Sequence, residues 1–80
     1  MAVKRVRFTF PEEKIKEPVI YQLGHQFKVV TNIRMADVDE HTGWVILELD
    51  GDPGEIQRSL AWAQGKGVRV DPVEGDLVEG

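Results

Sequence analysis

The stretch from Phe27 to Asp50 limits what this chain can fold into more than any other. It reads as two strands joined by a polar turn. In the second strand, Trp44 to Asp50, strict alternation puts Val45, Leu47 and Leu49 on one face and Trp44 and Ile46 on the other. A strand that is apolar on both faces belongs in the middle of a sheet or under cover on both sides. The first strand, Lys28 to about Asp37, is less decided. Neither Val29, Thr31, Ile33 and Met35 nor Val30, Asn32, Arg34 and Ala36 forms a purely polar set, so periodicity does not choose its core face. The turn between them, Asp39 to Gly43, is expected to use Gly43 at positive φ.

The remaining segments must pack on this hairpin. Residues 3–10 alternate, with Val6, Phe8 and Phe10 on one face against Arg5, Arg7 and Thr9 on the other, which predicts a half-buried strand. Pro18 suits a first helical turn, so a short helix is expected from Glu17 to His25 or Gln26, with Val19, Ile20, Leu23 and Phe27 as its apolar stripe. Asp52-Pro53-Gly54-Glu55 is a strong helix start: a cap, a proline at the first position and an acid completing a box. That helix runs to about Gln64, buries Ile56, Leu60 and Ala63, and ends at Gly65 and Gly67. Val68 to Val73 makes a last strand, and the acidic residues 74–80 are expected to fray.

The order strand, helix, strand, strand, helix, strand is met by two right-handed split crossovers. The expected fold is therefore α+β and ferredoxin-like: a four-stranded antiparallel sheet of order 4-1-3-2 with both helices on one face. Residues 1–80 form one domain, ordered over about 3–73. A domain this small buries little core, and pairing with a second copy would bury more.

Composition excludes several functions. With no cysteine there are no disulfides, thiol nucleophiles or iron–sulfur ligands. No run approaches the ~20 apolar residues of a membrane-spanning helix, and basic residues interrupt the N-terminus, so a cytoplasmic protein without membrane insertion is expected. A net charge of −4 argues against nucleic acid as a partner.

With Val6, Leu47 and Val68 turned toward the helices, alternation puts Arg5, Arg7, Trp44, Ile46, Glu48 and Arg69 on the opposite, open face, joined by Val30, Asn32 and Arg34 if Ile33 faces inward. An apolar centre ringed by arginines is the composition of an interface or a small-ligand site. Arg5, Arg7, Val30, Trp44 and Ile46 are the expected contacts of a symmetric homodimer. An RNA-binding module of the same fold would display several aromatics here, whereas Trp44 stands alone beside Glu48. Catalytic chemistry is thin. His25 and His41 lack partners at ligand spacing, and Ser59 has no nearby base. Asp37, Asp39, His41 and Glu48 fit a calcium-loop spacing, but Thr42 occupies its required glycine position. No catalytic residue, metal or cofactor is expected, and the chain is read as a non-enzyme.

Three segments together resemble the NIL domain family: Asn32-Ile33, Gly43 to Leu49, and Ala61-Trp62 followed by Gly67-Val68-Arg69-Val70. The likeness spans about residues 4–73. It implies a ferredoxin-like fold similar to the ACT regulatory domains. It also implies a regulatory or sensor role like that of domains on methionine ABC-transporter ATPase subunits, which pair and bind methionine near the pair's interface. The third residue of the family's Asn-Ile-Leu motif is here Arg34. The chain, without an ATPase portion, is read as a free-standing member. On this resemblance the ligand site falls on Asn32, Ile33, Arg34, Trp44 and Ile46. The alternative is an interaction module without ligand, acting with a transporter or a sulfur-metabolism partner.

Overall fold

In a computed structural model, residues 2–73 are described. The tail expected to fray, with Glu74, Asp76 and Glu79, lies outside the described residues. Six principal elements follow in order: β1 (Ala2–Phe10), α1 (Val19–Gln26), β2 (Val29–Val38), β3 (Gly43–Gly51), α2 (Pro53–Gly65) and β4 (Arg69–Pro72). The sheet order is β2-β3-β1-β4, the expected order read from the other edge, and all pairings are antiparallel. The fold is ferredoxin-like α+β, as the alternation of elements requires.

β3 lies at the centre because both its faces are apolar. Its inward residues Val45, Leu47 and Leu49 meet Val6 and Phe8 of β1, Val19 and Leu23 of α1, and Ile56, Leu60 and Ala63 of α2 in one buried cluster. Phe10 and Val70, expected fully inward, are half-buried at its margin, with the Phe10 ring edge-on to Phe8 at 6.1 Å. Each large side chain buried here contributes about 1.5–3 kcal/mol.

The two helices begin differently. At α2 the Asp52 carboxylate accepts from the Gly54 amide at 3.0 Å, and Pro53 takes the first helical position. Glu55 does not close a capping box. Its carboxylate accepts instead from the Lys28 amide at 2.9 Å and pairs with Arg58 at 2.7 Å, tying α2 to the entrance of β2. Helix α1 starts two residues later than expected. Pro18 precedes the first helical residue, Val19, and supplies no side-chain cap. Glu17 stands before a proline, where helical geometry is disfavoured. Its carboxylate holds Lys66 at 2.9 Å and Lys14 at 3.3 Å, clamping this entrance to the end of α2. The two lysines, Lys66 first, hold its acidity below the ordinary glutamate range. A short 3-10 turn at Glu12–Lys14, unforeseen in the sequence, brings Lys14 into place.

Three glycines answer different demands. Gly24 is an interior residue of α1. Gly67, at φ 96°, is the left-handed exit of α2, where its amide and that of Val68 bond back to Gln64 and Ala63. Gly43, contrary to expectation, has an ordinary φ, since Gly67 is the one described glycine at positive φ. The β2–β3 turn is held instead by Asp39, whose carboxylate accepts from the His41 and Thr42 amides at 2.8 Å each.

Strand β2 explains why its periodicity was undecided. It pairs Ile33 with Leu47 but Met35 with Ile46, so Arg34 is the extra residue of a β-bulge. Before the bulge the helix-side residues are Val29, Thr31 and Ile33. After it they are Ala36 and Val38. The apolar residues change parity at Arg34, and no unbroken alternation can accommodate them.

Candidate functional site

The open face is fixed by the same register. Arg5 lies opposite Glu48, Asn32 lies opposite Glu48 from the other side, and Arg7 and Met35 flank Ile46. Arg5 donates through Nε to Glu48 Oε2 at 3.1 Å and makes a second, shorter contact through its terminal nitrogen. Arg34 Nε approaches the same oxygen at 4.0 Å. Glu48 thus sits between two guanidinium groups with an amide beside it. Arg5, and less strongly Arg34, holds its carboxyl below the ordinary glutamate range. Glu48 stays an anion with acceptor capacity to spare, flanked by donors and by the apolar surface of Ile46 and Met35.

Of the residues expected to bind a ligand, Asn32, Arg34 and Ile46 are brought together. Trp44 shares the face but stands four residues from Glu48 along β3, about 13 Å at strand spacing. One side of its ring is taken by Arg7, whose guanidinium carbon lies 4.8 Å from the ring centroid. Ile33 pairs with inward-facing Leu47 and so points to the helix side, away from Asn32. Of the expected pairing residues, Val30 stands exposed on the outer strand, while Arg5 and Arg7 lie two strands further in.

Two participants were missed in the sequence. Met35 reaches the open face only because the bulge turns it there; the parity change in β2 was the available signal. The other is an apolar cavity of about 190 Å³ on the helix side, lined by Phe10, Ile15, Ile20, Tyr21, Val38 and others at the entrance of α1. It needed the 3-10 turn and the end of β2 to meet.

The calcium-like spacing does not assemble: Asp39 is spent on its own turn and Glu48 on Arg5. His41 Nδ1 lies 3.0 Å from Glu12, and His25 stacks on Tyr21 at 4.5 Å. Among the described residues no group of three or more His, Cys, Asp or Glu is placed to hold a metal ion. Nor is any helix among them long and apolar enough to cross a membrane.

A ferredoxin-like sheet covered by helices on one side, with a charged and apolar constellation on the other, defines a small α+β domain. Residues 4–72 match the NIL domain family, and the chain belongs to it. It is 31% identical over 70 residues to methionine import ATP-binding protein MetN 1 of Enterococcus faecalis, covering 82% of this chain and 20% of that protein. It is 29% identical over 72 residues to methionine import ATP-binding protein MetN of Helicobacter pylori, covering 85% of this chain and 22% of that protein. The chain thus spans about a fifth of the length of these relatives. Among solved structures, the C-terminal domain of an ABC transporter/ATP-binding protein from Enterococcus faecalis shares its fold. That match has a TM-score of 0.76 at 20% identity, over 88% of this chain and 82% of that one.

Proposed function

We propose that this NIL domain is a non-catalytic regulatory domain that binds methionine or a related amino acid on the open face of its sheet and works as a pair. The observation that carries the reading is the grouping of Asn32, Arg34, Glu48, Ile46 and Met35 on adjoining strands. An α-amino acid needs an acceptor for its ammonium, a cation for its carboxylate and an apolar path for its side chain. Glu48 and Asn32 meet the first need and Arg34 the second. Ile46 and Met35 supply the path, leading toward Trp44, where a thioether would pack against an aromatic edge. Arg34, in place of the motif's leucine, gives the site a charge of its own. The likeness to methionine importer subunits supports methionine as the first ligand to try and a transporter as the natural setting, on the cytoplasmic side.

Calorimetric titration with L-methionine tests the proposal, with D-methionine and leucine as controls. Saturable heat for L-methionine, at one or fewer ligands per chain, is the expected result, and Asn32→Ala should abolish it while the sedimentation behaviour stays unchanged. Absence of heat for the amino acids would sink the sensor reading and leave a ligand-free interaction module.

A further inference from the structure

β1 is a central strand over only part of its length. It pairs with β3 from end to end, from Ala2 opposite Gly51 to Phe10 opposite Gly43. On its other side it pairs with β4 only from Val6 to Thr9. The Val73 amide carries that ladder one residue further, donating to the Arg5 carbonyl at 3.2 Å. Beyond it, no described strand covers this side of Val3 and Ala2. The Val3 side chain is 63% exposed. A cleft of about 290 Å³ runs between this stretch and the first turns of α2, lined by Ala2, Val3, Lys4, Pro53, Ile56 and Gln57. Unpaired strand N–H and C=O groups beside exposed apolar surface take a further length of strand.

We infer that this open stretch of β1 is the docking site of the chain's own acidic segment, residues 74–77, which adds to the sheet as a continuation of β4. The register is set where the ladder stops. Every pair from Thr9–Arg69 to Val6–Pro72 follows one register, and the Val73–Arg5 bond keeps it. The next steps set Glu74 opposite Lys4, Gly75 opposite Val3 and Asp76 opposite Ala2. An antiparallel ladder alternates hydrogen-bonded and non-hydrogen-bonded pairs. Val73–Arg5 is of the bonded kind, so Glu74–Lys4 is of the other, where side chains stand closest. Gly75–Val3 is bonded again and satisfies the Val3 amide. Pro72 does not end this ladder, because Val6–Pro72 is a non-hydrogen-bonded pair and its missing N–H costs no bond.

Charge and shape favour the same occupant. Lys4 lies opposite inward-facing Leu49, so it projects on the helix side, where it borders the cleft. Among the described residues it has no ionic partner. Glu74 supplies one from directly across the ladder. On the open face Gly75 brings no side chain over Val3, which leaves room for Leu77 to reach it along the diagonal. A strand from another molecule would have to enter behind Val73, from which this chain already runs along the edge.

NMR of the full chain tests it. An Overhauser contact between the Lys4 and Glu74 α-protons is expected, because non-hydrogen-bonded pairs bring the two backbones closest, together with a Val3 amide protected from hydrogen exchange. Ending the chain after Val73 should speed Val3 exchange about tenfold or more while the Leu47 amide, deep in the sheet, stays protected and shows that the domain still folds. Lys4→Glu and Glu74→Lys should each speed Val3 exchange about two- to fivefold, and the double exchange should restore it. A full chain with no Lys4–Glu74 contact and a freely exchanging Val3 amide overturns the inference. So does Val3 protection that survives the truncation. A contact seen only between differently labelled copies mixed together would also overturn it, by giving the edge to a second molecule.

Discussion

The two edges of this sheet are built to opposite specifications. β4 is four residues long, ends in a proline, and carries opposite charges two residues apart on the open face. It hangs directly from the exit of α2, where the Val68 amide bonds to Ala63. β2 is ten residues long, and four of its large apolar side chains are exposed, some on each face. The difference between the edges is one of length, charge and exposed apolar surface, and it was set by the sequence of each strand and not by the sheet they share.

That comparison can be broken at several levels. The largest effect is expected from removing what both edges share. Leu47, fully buried in β3 and opposite both Val6 and Ile33, should cost about 2–5 kcal/mol when changed to alanine, read by denaturant unfolding. A loss below 1 kcal/mol would mean that the core, and not just one edge, is adaptable. A smaller effect is expected at α2, which supports the guarded edge. Asp52→Ala removes the cap on Gly54 and should cost about 1 kcal/mol, read by the same unfolding measurement. A loss near zero would mean that Pro53 alone fixes the helix start.

The smallest effect concerns the ion cluster between the edges. The folded pKa of Glu48 is lowered, chiefly by Arg5, so its contribution to stability is present above its unfolded pKa. It is lost as the pH falls through the lowered folded value. Glu17 and Glu55 behave alike, each held down by its own cations. Arg5→Ala should raise the Glu48 pKa toward the ordinary range, seen by carboxyl NMR titration, and shift acid unfolding to slightly higher pH. An unmoved Glu48 titration would show that Arg34 or solvent, and not Arg5, sets its acidity.

The fold was legible because its signals were local and consistent. The two-faced apolar strand, the Asp52-Pro53 helix start and the alternation of β1 each pointed to one arrangement. The site was legible only in part. Asn32, Arg34 and Ile46 could be placed on one face by alternation, but Trp44 proved distant and engaged by Arg7, and Ile33 turned away. Side-chain reach and the occupancy of a ring depend on neighbours from other strands, and no single segment encodes them.

By itself the sequence determined the order of elements, the central place of β3, the capped start of α2 and the identity of the core. Each of these follows from periodicity and capping within a few residues. Tertiary structure alone decided the bulge at Arg34, the arrival of Met35 on the open face, and the use of Glu17 and Glu55 as ties between segments rather than helix-start acids. The physical reason is the same for all three. A strand's register and a carboxylate's partner are chosen by competition among groups distant in sequence, and that competition is settled only when the sheet and helices close on one another.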